Sequence, residues 1–121
     1  MIETFKATSI SIDEHEGQMT LAVFNEHNEY LFFQCPLEQK DWDSGVYVEF
    51  NKQSHGAFDV VSSITIAAKR LQVELKSPLF ALPDVLGFDI TLECEPQAIS
   101  ALALQLLAGF QDRSAQVNNQ L

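Results

Sequence analysis

Basic residues are scarce in this chain of 121 residues. Seven lysines and arginines stand against seventeen aspartates and glutamates, which gives a formal net charge of −10. A surface of this sign repels phosphate backbones and anionic lipid head groups, so neither nucleic-acid nor membrane binding is expected. Residues 1–50 hold ten acids and two bases, a net charge of −8. The field suits a basic protein partner, although it serves equally well to keep the protein in solution.

Cysteine is also rare, and Cys35 and Cys94 lie too far apart to suggest a disulfide framework. No apolar segment approaches the ~20 residues that a membrane helix requires. The first residues lack the basic start and apolar block of a signal peptide. These absences predict a cytoplasmic protein whose core is held without disulfides.

Local signatures of catalysis or metal binding are missing. The three histidines, His15, His27 and His55, are 12 and 28 positions apart and form no ligand pair. No serine or cysteine lies in a nucleophile motif, and the five glycines are scattered rather than grouped around a phosphate. The sequence therefore predicts no enzyme, no cofactor and no metal site, while a nucleophile and base brought together by the fold stay open.

Alternation of apolar and polar residues predicts strands through most of the chain. Residues 46–51 allow two registers. Either Val46, Val48 and Phe50 face the core, or Tyr47 and Glu49 do. The predicted strands are residues 5–13, 18–25, 29–35, 46–51, 60–67, 71–76 and 88–93.

The period changes after Pro96, which suits the first turn of a helix. Ile99, Leu102, Leu106 and Phe110 then recur at spacings of three and four, and this pattern predicts a helix with one apolar stripe. The predicted fold class is α+β: an antiparallel meander sheet of six to seven strands, with one C-terminal helix packed on one face. We expect residues 1–112 to form a single domain and residues 113–121 to form a polar tail that frays.

The segment from residue 38 to residue 49 is the most informative for function. It combines the only tryptophan of the chain with four acids and a tyrosine. Aromatic residues among polar neighbours are typical of protein interfaces, although Trp42 could instead close the end of the core. The predicted partner-binding residues are Glu38, Asp41, Trp42, Asp43, Tyr47 and Glu49, with His55 at the rim.

The order of these segments resembles a known family over roughly residues 5–111. The resemblance is carried by Asp41-Trp42, by Tyr47-Val48-Glu49, by the turn near Gly56, by strand segments 30–34, 64–66, 71–75 and 88–92, and by the leucine-rich helix. It points to the immunity protein ten family of bacterial polymorphic-toxin and contact-dependent inhibition systems. The turn in residues 51–58 is poorer in glycine than that of the family. The resemblance implies a cytoplasmic, non-enzymatic inhibitor that binds a cognate toxin domain, and the acidic surface favours a basic toxin such as a nuclease.

Two other functions remain open from the residues. One is a homodimeric structural or assembly protein, which would cover a second sheet face carrying Phe24, Tyr30, Phe33 or Tyr47, depending on register. The other is an enzyme or small-ligand carrier with a pocket between the sheet and the helix.

Overall fold

The computed structural model describes residues 1–38, 45–111, 113 and 115–121. Within these ranges the chain forms ten strands and one helix. In chain order the elements are β1 (Ile2–Ala7), β2 (Ser9–His15), β3 (Gln18–Phe24), β4 (Tyr30–Pro36), β5 (Tyr47–Phe50), β6 (Gly56–Phe58), β7 (Val61–Ala67), β8 (Arg70–Leu75), β9 (Gly87–Leu92), α1 (Pro96–Gly109) and β10 (Gln116–Asn119).

The strands form two sheets of five strands each. Sheet A has the order β1-β9-β8-β7-β10, and sheet B has the order β2-β3-β4-β5-β6. Sheet B is an antiparallel meander built from one continuous stretch of chain, residues 9–58. Sheet A is mixed, because β1 pairs with β9 and β10 pairs with β7 in parallel.

The α+β class is confirmed, but the single meander sheet of six to seven strands is wrong. The predicted first strand, residues 5–13, is divided at Thr8, whose N–H donates to the Phe24 carbonyl. The residues before Thr8 belong to sheet A and those after it to sheet B. Alternation records only that each strand buries one face, so it does not distinguish one sheet covered by a helix from two sheets that cover each other.

The inner faces of the two sheets share one hydrophobic core. Val46, Val48 and Phe50 are buried, so the first of the two predicted registers is confirmed. The Phe50 ring in sheet B lies 6.3 Å from the Phe5 ring and 4.8 Å from the Phe88 ring in sheet A, measured between centroids. Aromatic contacts of this kind contribute stability beyond the burial of apolar area, and they hold the two sheets face to face.

Helix α1 begins at Pro96, as predicted, and its stripe of Ile99, Leu102 and Leu106 is buried. At its end, Phe110 packs edge-on against Phe33 of sheet B. A Cβ atom on Gly109 would lie 2.7 Å from the Cys35 Sγ, so glycine allows the helix to approach sheet B closely. The helix therefore packs on the inner face of sheet B.

Two short strands were not predicted. Residues 56–58 fall in a segment predicted to be a loop, yet they form β6 at the edge of sheet B. The expectation that the chain frays after residue 112 is wrong for residues 116–119, which form β10 beside β7. The division into one domain and a tail stays a prediction. In the described ranges, no helix has both the length and the apolar character needed to cross a bilayer.

Candidate functional site on sheet B

The outer face of sheet B is lined with aromatic side chains. Successive residues of a strand point to opposite faces, so burial of Met19, Leu21 and Val23 in β3 turns Phe24 outward. The same alternation in β4, β5 and β6 exposes further rings on this side. We call the set the aromatic face: Phe24, Tyr30, Phe32, Tyr47 and Phe58.

Strand register brings these residues together. Phe24 lies opposite Tyr30, and Tyr47 lies opposite Phe58. The rings of Phe32 and Tyr47 are 6.3 Å apart with an edge-to-face geometry, and those of Tyr47 and Phe58 are 5.1 Å apart. Phe58 is 54% exposed. Phe24 is also exposed, whereas Tyr30, Phe32 and Tyr47 are half-buried. A cluster of partly exposed rings of this kind is a candidate interaction surface.

A carboxylate lies at the centre of the aromatic face. Glu49 is opposite Phe32, and its two oxygens accept hydrogen bonds from two tyrosines. The Tyr30 hydroxyl donates to Oε2 at 2.5 Å, and the Tyr47 hydroxyl donates to Oε1 at 2.7 Å. These are the only two tyrosines of the chain. Bonds to a charged acceptor are stronger than neutral ones, so Glu49 fixes the position of both rings.

The environment keeps both phenols protonated. Burial, the hydrogen bond to Glu49 and the negative charge of Glu49, in that order, raise the pKa of Tyr47 to about 12. The same three causes, followed by the charge of Tyr47, raise the pKa of Tyr30 further. Both tyrosines therefore remain hydrogen-bond donors throughout the physiological pH range.

Gly56 makes room for the Tyr47 ring. A Cβ atom at this position would lie 2.1 Å from the Tyr47 hydroxyl oxygen and 2.6 Å from the ring carbon that bears it. The ring of Tyr47 therefore lies across the backbone of β6, where a side chain would otherwise stand. This close approach depends on glycine, because a side chain at residue 56 would displace the Tyr47 ring.

The charge of the molecule is concentrated on the segment that forms sheet B. Residues 9–58 contain nine acids and two bases, a net charge of −7 out of −10. Exposed acids lie on both sides of β3: Glu14 is near the end of β2 and Glu16 is in the turn that follows, while Glu26 is in the turn after β3. The lysine and arginine ion pairs of the described residues involve Lys6, Arg70 and Lys76, which lie in or just beyond the strands of sheet A.

The structure brings together part of the predicted site. Tyr47 and Glu49 are joined by a hydrogen bond on the aromatic face. His55 lies in the turn between β5 and β6, at the end of β5 where Phe50 N–H donates to its carbonyl. Glu38 is exposed beyond the other end of sheet B, after Pro36. The remaining predicted residues, Asp41, Trp42 and Asp43, lie outside the described residues.

The prediction of partner-binding residues missed four rings of the aromatic face: Phe24, Tyr30, Phe32 and Phe58. Tyr30 and Phe32 carried a usable signal, because they alternate with the buried residues Leu31 and Phe33 in β4. Choosing the outward set required the register of a whole sheet, which the pattern of one strand leaves undetermined. Phe58 lies in a strand of three residues, too short for alternation to be read.

A separate cleft of about 430 Å³ opens between the β7–β8 turn, the start of α1 and the last residue, Leu121. Lys69, Cys94 and Ile99 are among the residues that line it. The Cys94 thiol donates a long hydrogen bond to the Ala7 carbonyl, and burial followed by the charge of Glu93 raises its pKa. None of the described residues of the cleft is a histidine, so the thiol has no adjacent imidazole base there.

Comparison with family models, with curated proteins and with solved structures found no match. Membership of the immunity protein ten family therefore stays a prediction.

Proposed function

We propose that this protein is an immunity protein that binds and neutralises a cognate bacterial toxin domain through the aromatic face of sheet B. The observation that carries the proposal is the pair of tyrosines fixed on Glu49 at the centre of a partly exposed aromatic surface. In this proposal the protein is not an enzyme, and it acts in the cytoplasm by covering a surface that its partner needs.

The preorganised rings support a binding role. Tyrosine and phenylalanine are favoured at interfaces because they bring much contact area with few rotatable bonds. Immobilising such side chains costs free energy when a partner binds. Here Glu49 and the gap above Gly56 hold Tyr47 in place before any partner arrives.

The charge distribution supports a basic partner. The segment that forms sheet B carries a net charge of −7, so a positively charged surface is attracted toward the aromatic face rather than toward sheet A. Steering of this kind raises association rates and rejects acidic proteins. A basic toxin domain, such as a nuclease, fits both the rings and the charge.

Co-expression tests this function. Because the proposal expects the toxin to be encoded beside its immunity protein, the C-terminal domain of the product of the adjacent reading frame is produced in a bacterial host, with and without this protein. We expect growth arrest in its absence and growth in its presence. If the neighbouring domain is toxic and this protein gives no protection, the proposed function is wrong.

Matched variants test the surface. Phe58→Asp places a charge on an exposed position of the aromatic face, and Gln72→Asp places one on the outer face of sheet A. We expect Phe58→Asp to weaken toxin binding about 30-fold, the scale of an interface hot spot, and Gln72→Asp to bind like the parent. Equal losses in both variants, measured by calorimetry on the purified pair, would contradict the surface assignment.

A second candidate function rests on the cleft near Cys94. Its volume of about 430 Å³ falls within the range of small-ligand sites. We propose, as the alternative, that it holds a small molecule with an apolar body and an anionic group near Lys69. A ligand that prefers the folded state raises the melting temperature, so a metabolite panel that produces no shift argues against this candidate.

A further inference from the structure

Among the described residues, the side chains that donate to the carboxylate of Glu49 are the two tyrosines. Each carboxylate oxygen has two lone pairs, and each oxygen of Glu49 accepts one bond from a tyrosine. Within the described contacts, one acceptor position therefore remains on each oxygen. Both oxygens belong to one planar carboxylate, so a single planar donor group is able to reach both.

Aromatic rings border the same carboxylate. Phe32 lies opposite Glu49 across β4 and β5. Its ring meets that of Tyr47 at 71°, so the two rings form a corner beside the carboxylate. A cation held there would contact π-electron density as well as the carboxylate charge.

Glu49 has no cationic partner in the described part of the chain, where the ion pairs involve other residues. It is nevertheless half-buried among rings, which makes its negative charge less well hydrated than that of the acids in the turns. A complementary cation from another molecule would relieve this cost.

We propose that Glu49 receives the guanidinium group of an arginine from the bound partner, with Phe32 and Tyr47 as the rings against which that group stacks. The inference rests on the proposed function, because it names the chemistry by which the same face recognises its partner. Glu49 is a binding residue in this scheme, and Tyr30 and Tyr47 position it.

Arginine fits better than lysine for geometric reasons. Its planar guanidinium offers two parallel N–H donors, which match two neighbouring acceptor positions on one carboxylate. It also stacks flat on aromatic rings and loses little hydration when it does so. A lysine ammonium is a compact, strongly hydrated charge that satisfies one oxygen at a time.

The test uses NMR titration of the full chain with three small probes: N-acetyl-arginine amide, N-acetyl-lysine amide and N-acetyl-citrulline amide. Citrulline has nearly the shape of arginine but carries no charge. We expect arginine to shift the resonances of Tyr30, Phe32 and Tyr47, lysine to shift them less, and citrulline to leave them unchanged. Glu49→Gln should weaken arginine binding about 10- to 100-fold, the scale of hydrogen bonds to a charged group.

Glu74→Gln is the matched control, because Glu74 is an exposed glutamate in β8 of sheet A. It should bind arginine like the parent. If Glu49→Gln does not fold, Phe32→Leu replaces it and should also weaken binding. Unchanged arginine binding in the folded Glu49→Gln or Phe32→Leu variant, or equal shifts from citrulline, would overturn the proposal.

The co-expression assay distinguishes a failure of the arginine assignment from a failure of the proposed function. If Phe58→Asp abolishes protection while Glu49→Gln preserves it, the face binds the toxin but the arginine assignment is wrong. If this protein never protects against the neighbouring domain, the toxin partner is wrong, whatever the small probes show.

Discussion

The two sheets have the same number of strands and bury their inner faces in the same core, yet their outer faces differ. Sheet A presents mainly polar and charged side chains, several of them bonded to each other: Arg70 to Asp89, Ser63 to Glu74, and Asn118 to Thr65. No aromatic residue lies on that face in its five strands, which the structure describes in full. Sheet B presents five aromatic residues around one carboxylate.

The difference indicates which outer face is suited to contact with solvent. Polar side chains that already form hydrogen bonds with each other gain no further bonds from a partner. The outer face of sheet A therefore needs no binding partner to satisfy its polar groups. Exposed rings on sheet B would be more favourably placed against another surface. In our proposal the fold therefore carries a solvated face and a binding face on one core, and the following changes test that distinction.

The largest effect is expected from adding a methyl group at a glycine of each sheet. In Gly87→Ala the new Cβ would lie 2.3 Å from the Val73 carbonyl oxygen, which belongs to a paired strand and cannot move away. We expect a loss of about 3 kcal/mol in unfolding free energy. In Gly56→Ala the obstacle is the Tyr47 side chain, which can rotate, so the loss should be about 1 kcal/mol.

Urea titration of both variants measures the difference in unfolding free energy. Partner binding by the two folded variants gives a second comparison. Gly87→Ala should still bind a partner when folded, because the aromatic face is untouched. Gly56→Ala should bind less well, because the Tyr47 ring is displaced. If Gly56→Ala is the less stable of the two, the Tyr47 ring is held more rigidly than its contacts imply.

The next effect concerns alkaline pH and is confined to sheet B. Absorbance near 295 nm reports tyrosine ionisation, and both tyrosines of the chain lie on the aromatic face. Tyr47, with its pKa raised to about 12 from 10.0, should remain protonated at pH 10 while the protein is folded. The folded state favours the protonated phenols, so the stability they provide is complete below pH ~10 and declines as the pH rises through the folded values.

Glu49→Gln separates the causes of this behaviour. It removes the charge and leaves the burial, so the midpoint for Tyr47 should fall below 12 and remain above 10.0. Tyr30→Phe leaves Tyr47 as the one tyrosine of the chain and assigns the transition. A parent protein that already titrates fully at pH 10 in its folded state would show that Glu49 does not hold the phenols.

The smallest effect is expected from the ion pair of sheet A. Arg70 forms two hydrogen bonds to Asp89 and holds the pKa of that carboxyl below its usual range. The stability it provides is present above the unfolded pKa of ~4 and is lost as the pH falls through the folded value. Arg70 is exposed, so Asp89→Asn should destabilise less than Gly56→Ala does in thermal melts at neutral pH. A larger loss would mean that the solvated face also holds the fold together.

The sequence predicted individual elements better than their assembly. The helix after Pro96 and the alternation in β3, β4, β5 and β8 were readable, because each has a periodic apolar set facing one core. The division at Thr8 and the parallel strands at both edges of sheet A were not. They depend on pairing between residues far apart in the chain, and the periodicity of a short segment contains no information about such pairing.

The candidate site was predicted in part for the same reason. Tyr47 and Glu49 were singled out by their neighbours in sequence, and they do lie on the aromatic face. Tyr30 belongs to that cluster only because β4 pairs with β5, which places its hydroxyl on Glu49. His55 and Glu38 show the opposite case, since both were close in sequence to the site and lie at different ends of sheet B.

The parallel pairing of β1 with β9 has a consequence for the order in which the chain folds. Sheet B consists of neighbouring hairpins and can form as soon as residues 9–58 are available. Strand β1 must wait for its partner, because Ile2 pairs with Gly87 and Ala7 with Leu92. During synthesis the first strand therefore stays unpaired until the ninth has left the ribosome. We expect pulse-labelled hydrogen exchange to protect amides of sheet B before those of β1, and simultaneous protection would contradict this order.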